Sequence, residues 1–399
     1  MSFAQGGKVM VSGMKAFIAS IMIMLAFISI GIWERLLWVS SGIYIWNQLK
    51  HLKKQSIKQM QILLGGIVMG YIVMMILLGI WQYSIEVQHS VEVRHPMVHH
   101  VPSENVGVIL LFEGESATYE LPVVLRKIRE EEGLLSQAFL PLHLFREKIR
   151  YEKVERGSHV IQSQKIQGKL KEQISSEHNL YVSYQNHPPF FEEVVFEAIK
   201  LGHSKLLIVP VILSENEGFL QTTDFVRNLN LMQEGIQIKT TYPLWDSDLM
   251  AQSFLQQVLN QTQSQRQDNI GVILLGEELG QGREGLQYVK QDLLFRQKVK
   301  DLMINEGFQL GRIRFSGLDG KHIEREMEKL MTYGVREMVI LQTAHLDDEG
   351  TSRLVVEKAS KKAQVPYTVN IRHIIGFEGN EFLVRELQQR IHLVTLQSW

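Results

Sequence analysis

One apolar run is written twice in this chain: Asn105-Val-Gly-Val-Ile-Leu-Leu111 returns as Asn269-Ile-Gly-Val-Ile-Leu-Leu275. Both copies end at a turn that carries a carboxylate, Glu113 in the first and Glu277 in the second. Farther along, Glu192, Gly202 and Leu255-Gln-Gln257 match Glu324, Gly334 and Leu387-Gln-Gln389 at one constant offset. An offset shared across helices, turns and strands is the mark of an internal duplication. The runs are continuous in Val, Ile and Leu rather than alternating, which predicts strands buried on both faces, as in a parallel sheet.

Around those runs, apolar segments alternate with helical patterns, so the fold class is α/β with two duplicated parallel-sheet domains. In the first copy, strands are expected at 106–112, 180–184, 205–212 and 236–240, with helices at 118–132, 190–201 and 248–260. In the second, strands are expected at 270–275, 309–315, 337–341 and 367–371, with helices at 288–306, 322–333, 352–363 and 380–393. The domains then divide as 105–262 and 263–399, joined by a Gln- and Ser-rich linker at 261–268. In open parallel sheets the ligand site lies beyond the carboxyl ends of the strands, and two such crests facing one another form a cleft.

Residues 1–85 have a different character. Two strongly apolar stretches, 16–33 and 60–83, approach the length a helix needs to cross a bilayer, which predicts a two-helix transmembrane hairpin as an anchor. Residues 36–46 are expected to lie at the interface, and Trp33, Trp38, Trp46 and Trp81 fall at the ends of the spans, where amphipathic rings belong. Lys50, Lys53, Lys54 and Lys58 crowd the loop between the spans. By the positive-inside rule that loop faces the cytoplasm, which places the soluble region on the extracytoplasmic side of the cell membrane. Lys8 and Lys15 pull the other way, and the alternative is a cytoplasmic soluble region. Residues 86–104 are expected to be a linker containing His89, His95, His99 and His100.

Composition narrows the chemistry. The 42 basic and 43 acidic residues of this 399-residue chain give a net charge of -1 with no basic cluster, which argues against a nucleic-acid partner. Without a cysteine, the chain has no disulfide, no thiolate zinc site and no cysteine nucleophile. Histidine and carboxylate are the strong metal ligands that remain. No Gly-x-Ser-x-Gly elbow is present, and Gly280-Gln-Gly-Arg-Glu-Gly285 lacks the Gly-Lys-Ser/Thr ending of a phosphate loop.

Several short motifs resemble the chelatase superfamily, specifically the ferrochelatases and the related sirohydrochlorin chelatases. Arg156-Gly-Ser-His159, with Gln164 and Leu170 after it, resembles their Gly-Gly-Ser-Pro segment. Tyr181-Val-Ser-Tyr-Gln-Asn-His-Pro188, Phe191-Glu-Glu193, Gly202 and Ile208-Val-Pro210 follow in the same order. The resemblance implies two α/β domains around a tetrapyrrole cleft and the insertion of a divalent metal into the macrocycle. Where these chelatases carry His-Gly after the first strand of a repeat, this chain has Phe112-Glu-Gly-Glu115 and Gly276-Glu-Glu278. Gln342-Thr-Ala-His-Leu-Asp-Asp-Glu349 lies where ferrochelatases have an Asp, His and Glu cluster, in a different internal order.

Metal insertion requires a site that holds the ion loosely and accepts two pyrrole protons, and carboxylates with imidazole suit both tasks. Glu277, Glu113 and His345 are the expected proton acceptors, and Glu277, Glu278, His345, Asp348 and Glu349, with Asp347 beside them, the expected metal ligands. Ser158, Tyr184, Glu115 and Glu217, with Glu215 as a further counterpart, are expected to face the macrocycle. The expected reading is a membrane-tethered chelatase-like protein that binds a tetrapyrrole, a divalent metal (Fe, Co or Ni as substrate or ligand), or both. The alternatives are a non-catalytic metal, heme or tetrapyrrole binder and an interaction scaffold that keeps the fold as a relic.

Overall fold

The computed structural model describes residues 3–52, 57–93, 105–114, 118–131, 139–153, 159–229, 235–262, 267–276, 286–343, 350–375, 381–397 and 399. It divides into two compact units, one made of residues 1–95 with 118–153, the other of 96–117 with 154–399.

The second unit holds both repeats. Its first sheet contains β1 (Val106–Phe112), β2 (His178–Tyr184), β3 (Lys205–Pro210) and β4 (Gln237–Thr240) in the order β2-β1-β3-β4. The other contains β5 (Ile270–Gly276), β6 (Ile313–Gly317), β7 (Glu337–Gln342) and β8 (Asn370–Ile374) in the order β6-β5-β7-β8. Every pairing is parallel. The order is the same in both sheets, as a duplication requires. In each, the strand order reverses between the first and third strands of the repeat, which makes the β1/β3 and β5/β7 crests the switch points where such sheets bind ligands.

Alternate side chains of the central strands enter two cores. Val108 and Leu110 of β1 share one apolar cluster with Val272 and Leu274 of β5, whereas Ile109 and Leu111 face an outer cluster, and Ile273 and Leu275 face another. Four helices contribute to the shared cluster: His159–Gln173, Asp248–Gln261, Gln287–Asn305 and Glu381–Thr395. Phe254 and Phe295 meet within it edge to face at 5.4 Å. Helix Asp248–Gln261 contacts β7 and β8 of the other repeat, and helix Glu381–Thr395 contacts β3. Arg390 fastens this exchange, donating to the carbonyl of Tyr242 at 2.6 Å and lying 2.5 Å from the carboxylate of Asp246. The halves therefore interlock through packed helices, which restricts any cleft between them to the crest.

Helices Leu140–Lys153, His159–Gln173 and Glu217–Asn228 have no counterpart in the sequence expectation. The sixth and eighth strands begin later than predicted, because a 3-10 turn takes Leu310–Arg312 and Val369 donates back to Pro366. The two copies also differ in length. The strand motif recurs after 269 − 105 = 164 residues, but Glu192 and Glu324 are 324 − 192 = 132 apart, so the first copy carries 32 additional residues after β1. Helices Leu121–Glu131 and Leu140–Lys153 lie in that stretch and belong to the helical unit.

That helical unit begins with helix Phe3–Ile28, followed by Ile32–Leu52 and Ile57–Val93. Met60–Ile80 is long and apolar enough to cross a membrane, with Gly13–Ile28 as a shorter apolar helix. The first span expected at 16–33 is interrupted after Ile28, where Gly31 takes a left-handed φ of +73°. The linker expected at 86–104 is helical up to Val93, and His95, His99 and His100 lie outside the described residues.

The first and third helices pack through small residues. A Cβ on Gly66 would stand 2.4 Å from the carbonyl oxygen of Gly13, and one on Gly70 would stand 2.8 Å from that of Phe17. Ser20 donates across the same contact to the carbonyl of Ile67 at 3.0 Å. Gly66 and Gly70 form the Gly-x-x-x-Gly pattern that lets apolar helices approach backbone to backbone. Leu64, Met69, Ile76, Leu77 and Ile80 are exposed on the outside of this pair.

Candidate functional site

The crest of the first repeat is built from the turns after β1 and β3, which are adjacent strands. Glu113 directly follows β1. Its carbonyl accepts from the amide of Asn186 at 3.0 Å, and its half-buried carboxylate accepts from the side-chain amide of Asn216 at 2.5 Å. Asn216 also caps helix Glu217–Asn228, its Oδ1 accepting from the Phe219 amide at 2.9 Å. Capping leaves only the NH₂ of that amide to face Glu113, which fixes the orientation of the pair.

Gly114 follows in the left-handed region (φ +65°), and a Cβ there would stand 2.6 Å from the ring of Tyr184. Only glycine satisfies both conditions. Tyr184, expected to face a macrocycle, is almost fully buried, its hydroxyl 2.5 Å from Ser163 and its ring against those of Phe112 and His187. It supports the floor of the crest.

The turn after β3 joins the two repeats. The amide of Glu215 donates to Gln291 Oε1 at 2.8 Å, and its carboxylate accepts from Gln287 at 3.0 Å. Both glutamines belong to helix Gln287–Asn305, which follows β5. The crests of the two sheets thus lie at the same end of the α/β unit.

Under the second crest is a fully buried ion pair. Asp292 and Arg296 of that helix are 2.5 Å apart, with both side chains removed from solvent. Arg296 also donates to the carbonyl of Ser316 at 3.1 Å, and its guanidinium lies 5.3 Å from the centre of the Phe315 ring. Gly276, the last residue of β5, presses on the pair: a Cβ would stand 2.4 Å from Asp292 Oδ2 and 2.5 Å from Arg296 Cζ. Burying two charges is costly unless they pair well, and the geometry keeps the end of β5 in contact with that pair.

The crests match in detail. The amide of Val211 donates to the carbonyl of Leu111 at 2.7 Å, and the amide of Thr343 donates to that of Leu275 at 2.7 Å. The third strand of each repeat therefore leaves the first at the same point.

Glu113 and Glu215 are the expected residues that the structure brings together, on adjacent turns of one crest. Glu277, Glu278, His345, Asp347, Asp348, Glu349, Glu115 and Ser158 lie outside the described residues, and Glu217 is placed only by its backbone, at the start of its helix. Strands β5 and β7, whose turns carry the acidic segments of the second half, are neighbours. Among the described residues no group of three or more His, Asp or Glu is arranged to hold a metal ion. Sequence reasoning missed Asn216, Gln291, Asp292 and Arg296. A signal for the last two was present: Asp292 and Arg296 are four apart on the stripe of Val289, Phe295, Val299 and Met303, where only core residues belong.

Two histidines away from the crest are structural. His203 is buried, with Nδ1 2.9 Å from the carbonyl of Asn105 and Nε2 2.9 Å from the Tyr181 hydroxyl, and so bridges β1 to β2. His373 of β8 titrates at about 4, first because burial penalises the charged imidazolium and then because Arg353 repels it.

No protein-family model matches this chain, and no curated protein matches it. Among solved structures, it is similar to the sirohydrochlorin chelatase SirB from Bacillus subtilis subspecies spizizenii in complex with cobalt, at 9% identity and a TM-score of 0.45, over 72% of this chain and 94% of that one. SirB from Bacillus subtilis with Fe3+ gives 10% identity and a TM-score of 0.46, over 73% and 96%. The transcription regulator CcpA of Lactococcus lactis gives 11% and 0.28, over 73% and 90%.

Proposed function

We propose that this chain is a membrane-tethered, chelatase-like protein that binds a tetrapyrrole, a divalent metal ion, or both, at the shared crest of its two α/β repeats. The observation that carries the reading is the placement of Glu113. It stands at the switch point of its sheet, held by Asn216, on the turn beside Glu215, which ties this crest to the helix after β5. Glu277 ends the same run in the second copy. Carboxylates at such positions suit hard or borderline divalent ions, with Fe, Co or Ni as substrate or ligand. Glu277, His345, Asp348 and Glu349 would complete the donor set, and Glu113 and Glu277 would accept the pyrrole protons if the metal is inserted.

The tether is supported by the apolar Met60–Ile80 helix, its small-residue contact with Phe3–Ile28 and the apolar side chains on their outside. Lys50, Lys53, Lys54 and Lys58, which lie between the two apolar stretches in the sequence, favour an extracytoplasmic α/β unit.

Full-length protein in lipid nanodiscs, mixed with Fe²⁺, Co²⁺ or Ni²⁺ and a porphyrin or sirohydrochlorin, is expected to shift the absorption bands of the macrocycle. Multiple turnovers identify an enzyme, and a stoichiometric shift identifies a binding protein. The burial of Tyr184 and the hydrogen-bonded state of Glu113 favour the latter. An unchanged spectrum with every pairing removes the tetrapyrrole from the account.

A further inference from the structure

Helices Leu121–Glu131 and Leu140–Lys153, in the stretch by which the first repeat exceeds the second, fold against the apolar hairpin. Val124, Leu125 and Ile128 of helix Leu121–Glu131, and Leu140 and Leu144 of helix Leu140–Lys153, share a core with Met74 and Leu78, against which Met24, Leu25 and Ile28 also pack. Met74 and Leu78 lie inside the apolar Met60–Ile80 stretch. At 1.5 Å per residue, a group packed on Met74 reaches about 9 Å below the end of that stretch.

Two polar groups at the helix break are satisfied by this contact, as lipid favours. The helix break after Ile28 leaves carbonyls without helical partners, and the Lys148 ammonium donates to that of Ser29. The same ammonium, 2% exposed, pairs with Glu34 at 2.6 Å. Phe145 closes the contact against Phe27 at 4.6 Å, with Trp38 beside Phe27 at 5.4 Å. The outer stripe of helix Leu140–Lys153 starts apolar, with Phe139 57% and Leu142 49% exposed, and continues to the exposed Arg146. An apolar end followed by a long cation on one stripe is the pattern of a helix seated at a membrane interface.

We propose that helices Leu121–Glu131 and Leu140–Lys153 are seated in one leaflet of the bilayer, with Phe139 and Leu142 among the acyl chains. The inference rests on the hairpin being membrane-embedded, and the occupant of the exposed face is lipid because the helices that carry it pack on Met74 and Leu78, inside the apolar Met60–Ile80 stretch.

The chain has no cysteine, so single labelling sites can be introduced into the full protein. Phe139→Cys and Leu142→Cys carry bimane at the tested positions, with Leu77→Cys on the exposed face of the span and Leu310→Cys on the α/β unit as references. Each is reconstituted into phosphatidylcholine vesicles with acyl chains brominated near the headgroup, or into plain vesicles with iodide in the buffer. The expected result is that bromolipid strongly quenches the labels at 139, 142 and 77 and iodide quenches only the label at 310. Quenching of 139 and 142 by iodide and not by bromolipid, with 77 still quenched by lipid, overturns the proposal and leaves the tether standing. Loss of lipid quenching at 77 as well overturns both.

Discussion

The carboxylate of Glu113 and the side-chain amide of Asn216 are 2.5 Å apart, and the same amide caps the helix that begins at Glu217. One residue thus anchors both a helix and the acidic tip of the neighbouring turn. Asn216→Ala removes the cap and the partner together and is expected to cost about 1–2 kcal/mol of stability, read from the denaturant midpoint of the α/β unit's unfolding. Asn216→Asp restores the cap but sets two carboxylates side by side. It is expected to recover only part of the stability that Asn216→Ala loses. Equal stability of the natural chain and both variants would remove this bond from the account.

The Asp292–Arg296 pair under Gly276 predicts an asymmetry. Arg296→Met leaves a buried carboxylate alone and is expected to cost about 3–5 kcal/mol, whereas Asp292→Leu with Arg296→Met restores a large part of that loss. Gly276→Ala drives a methyl into the same pair and is expected to destabilise by at least ~2 kcal/mol. Thermal unfolding of the full chain in detergent checks all three. A double variant weaker than Arg296→Met would contradict the assignment of a closed ion pair.

His373 predicts the direction of one pH effect. Its folded value of about 4 lies below the ordinary 6.5, so between those values the unfolded chain binds the proton and the folded chain does not. Its contribution is intact above pH 6.5 and is lost as the pH falls toward 4, by an amount on the order of 3 kcal/mol in the limit. Urea titrations at pH 7 and pH 5 are expected to show a larger drop for the natural chain than for His373→Leu. Identical drops would mean that the ring is solvated.

The contact between the first and third helices gives a matched pair of substitutions. Gly66→Val meets the Gly13 carbonyl and Ala16 and is expected to cost about 1–3 kcal/mol, while Gly65→Val meets nothing within 4 Å and is expected to be silent. Proteolysis of the helical unit in detergent distinguishes them. Equal protease sensitivity would contradict the close packing.

The two sheets were legible in the sequence because β1 and β5 are unbroken apolar runs, and the recurrence of Gly-Val-Ile-Leu-Leu in both marks them as equivalent. The exchange of helices between halves was not, since the partner of Phe254 is Phe295, a choice of tertiary packing that periodicity does not encode. Helix Leu140–Lys153 escaped for a related reason: its apolar face fits Met74 and Leu78, far away in sequence and in a segment of different composition. Asp292 and Arg296 are four apart, a spacing that solvated ion pairs share, and only their place on the stripe of Val289, Val299 and Met303 marks them as buried. Of the candidate site, the position of Glu113 at the end of β1 could be read from the repeat, but its anchor Asn216 could not, because only the folding of β3 beside β1 brings the two together.

The most direct measurement is calorimetric titration of Co²⁺ into the full-length protein and into Glu113→Gln, Glu277→Gln and the double variant. If the two acidic tips share one ion, each single substitution weakens binding at least about tenfold, and the double loses far less than the sum of the singles, because either change alone already breaks the site. Strictly additive losses would place the tips at separate sites, and affinity unchanged in all three variants, or no binding by the natural chain, would contradict metal handling at this crest.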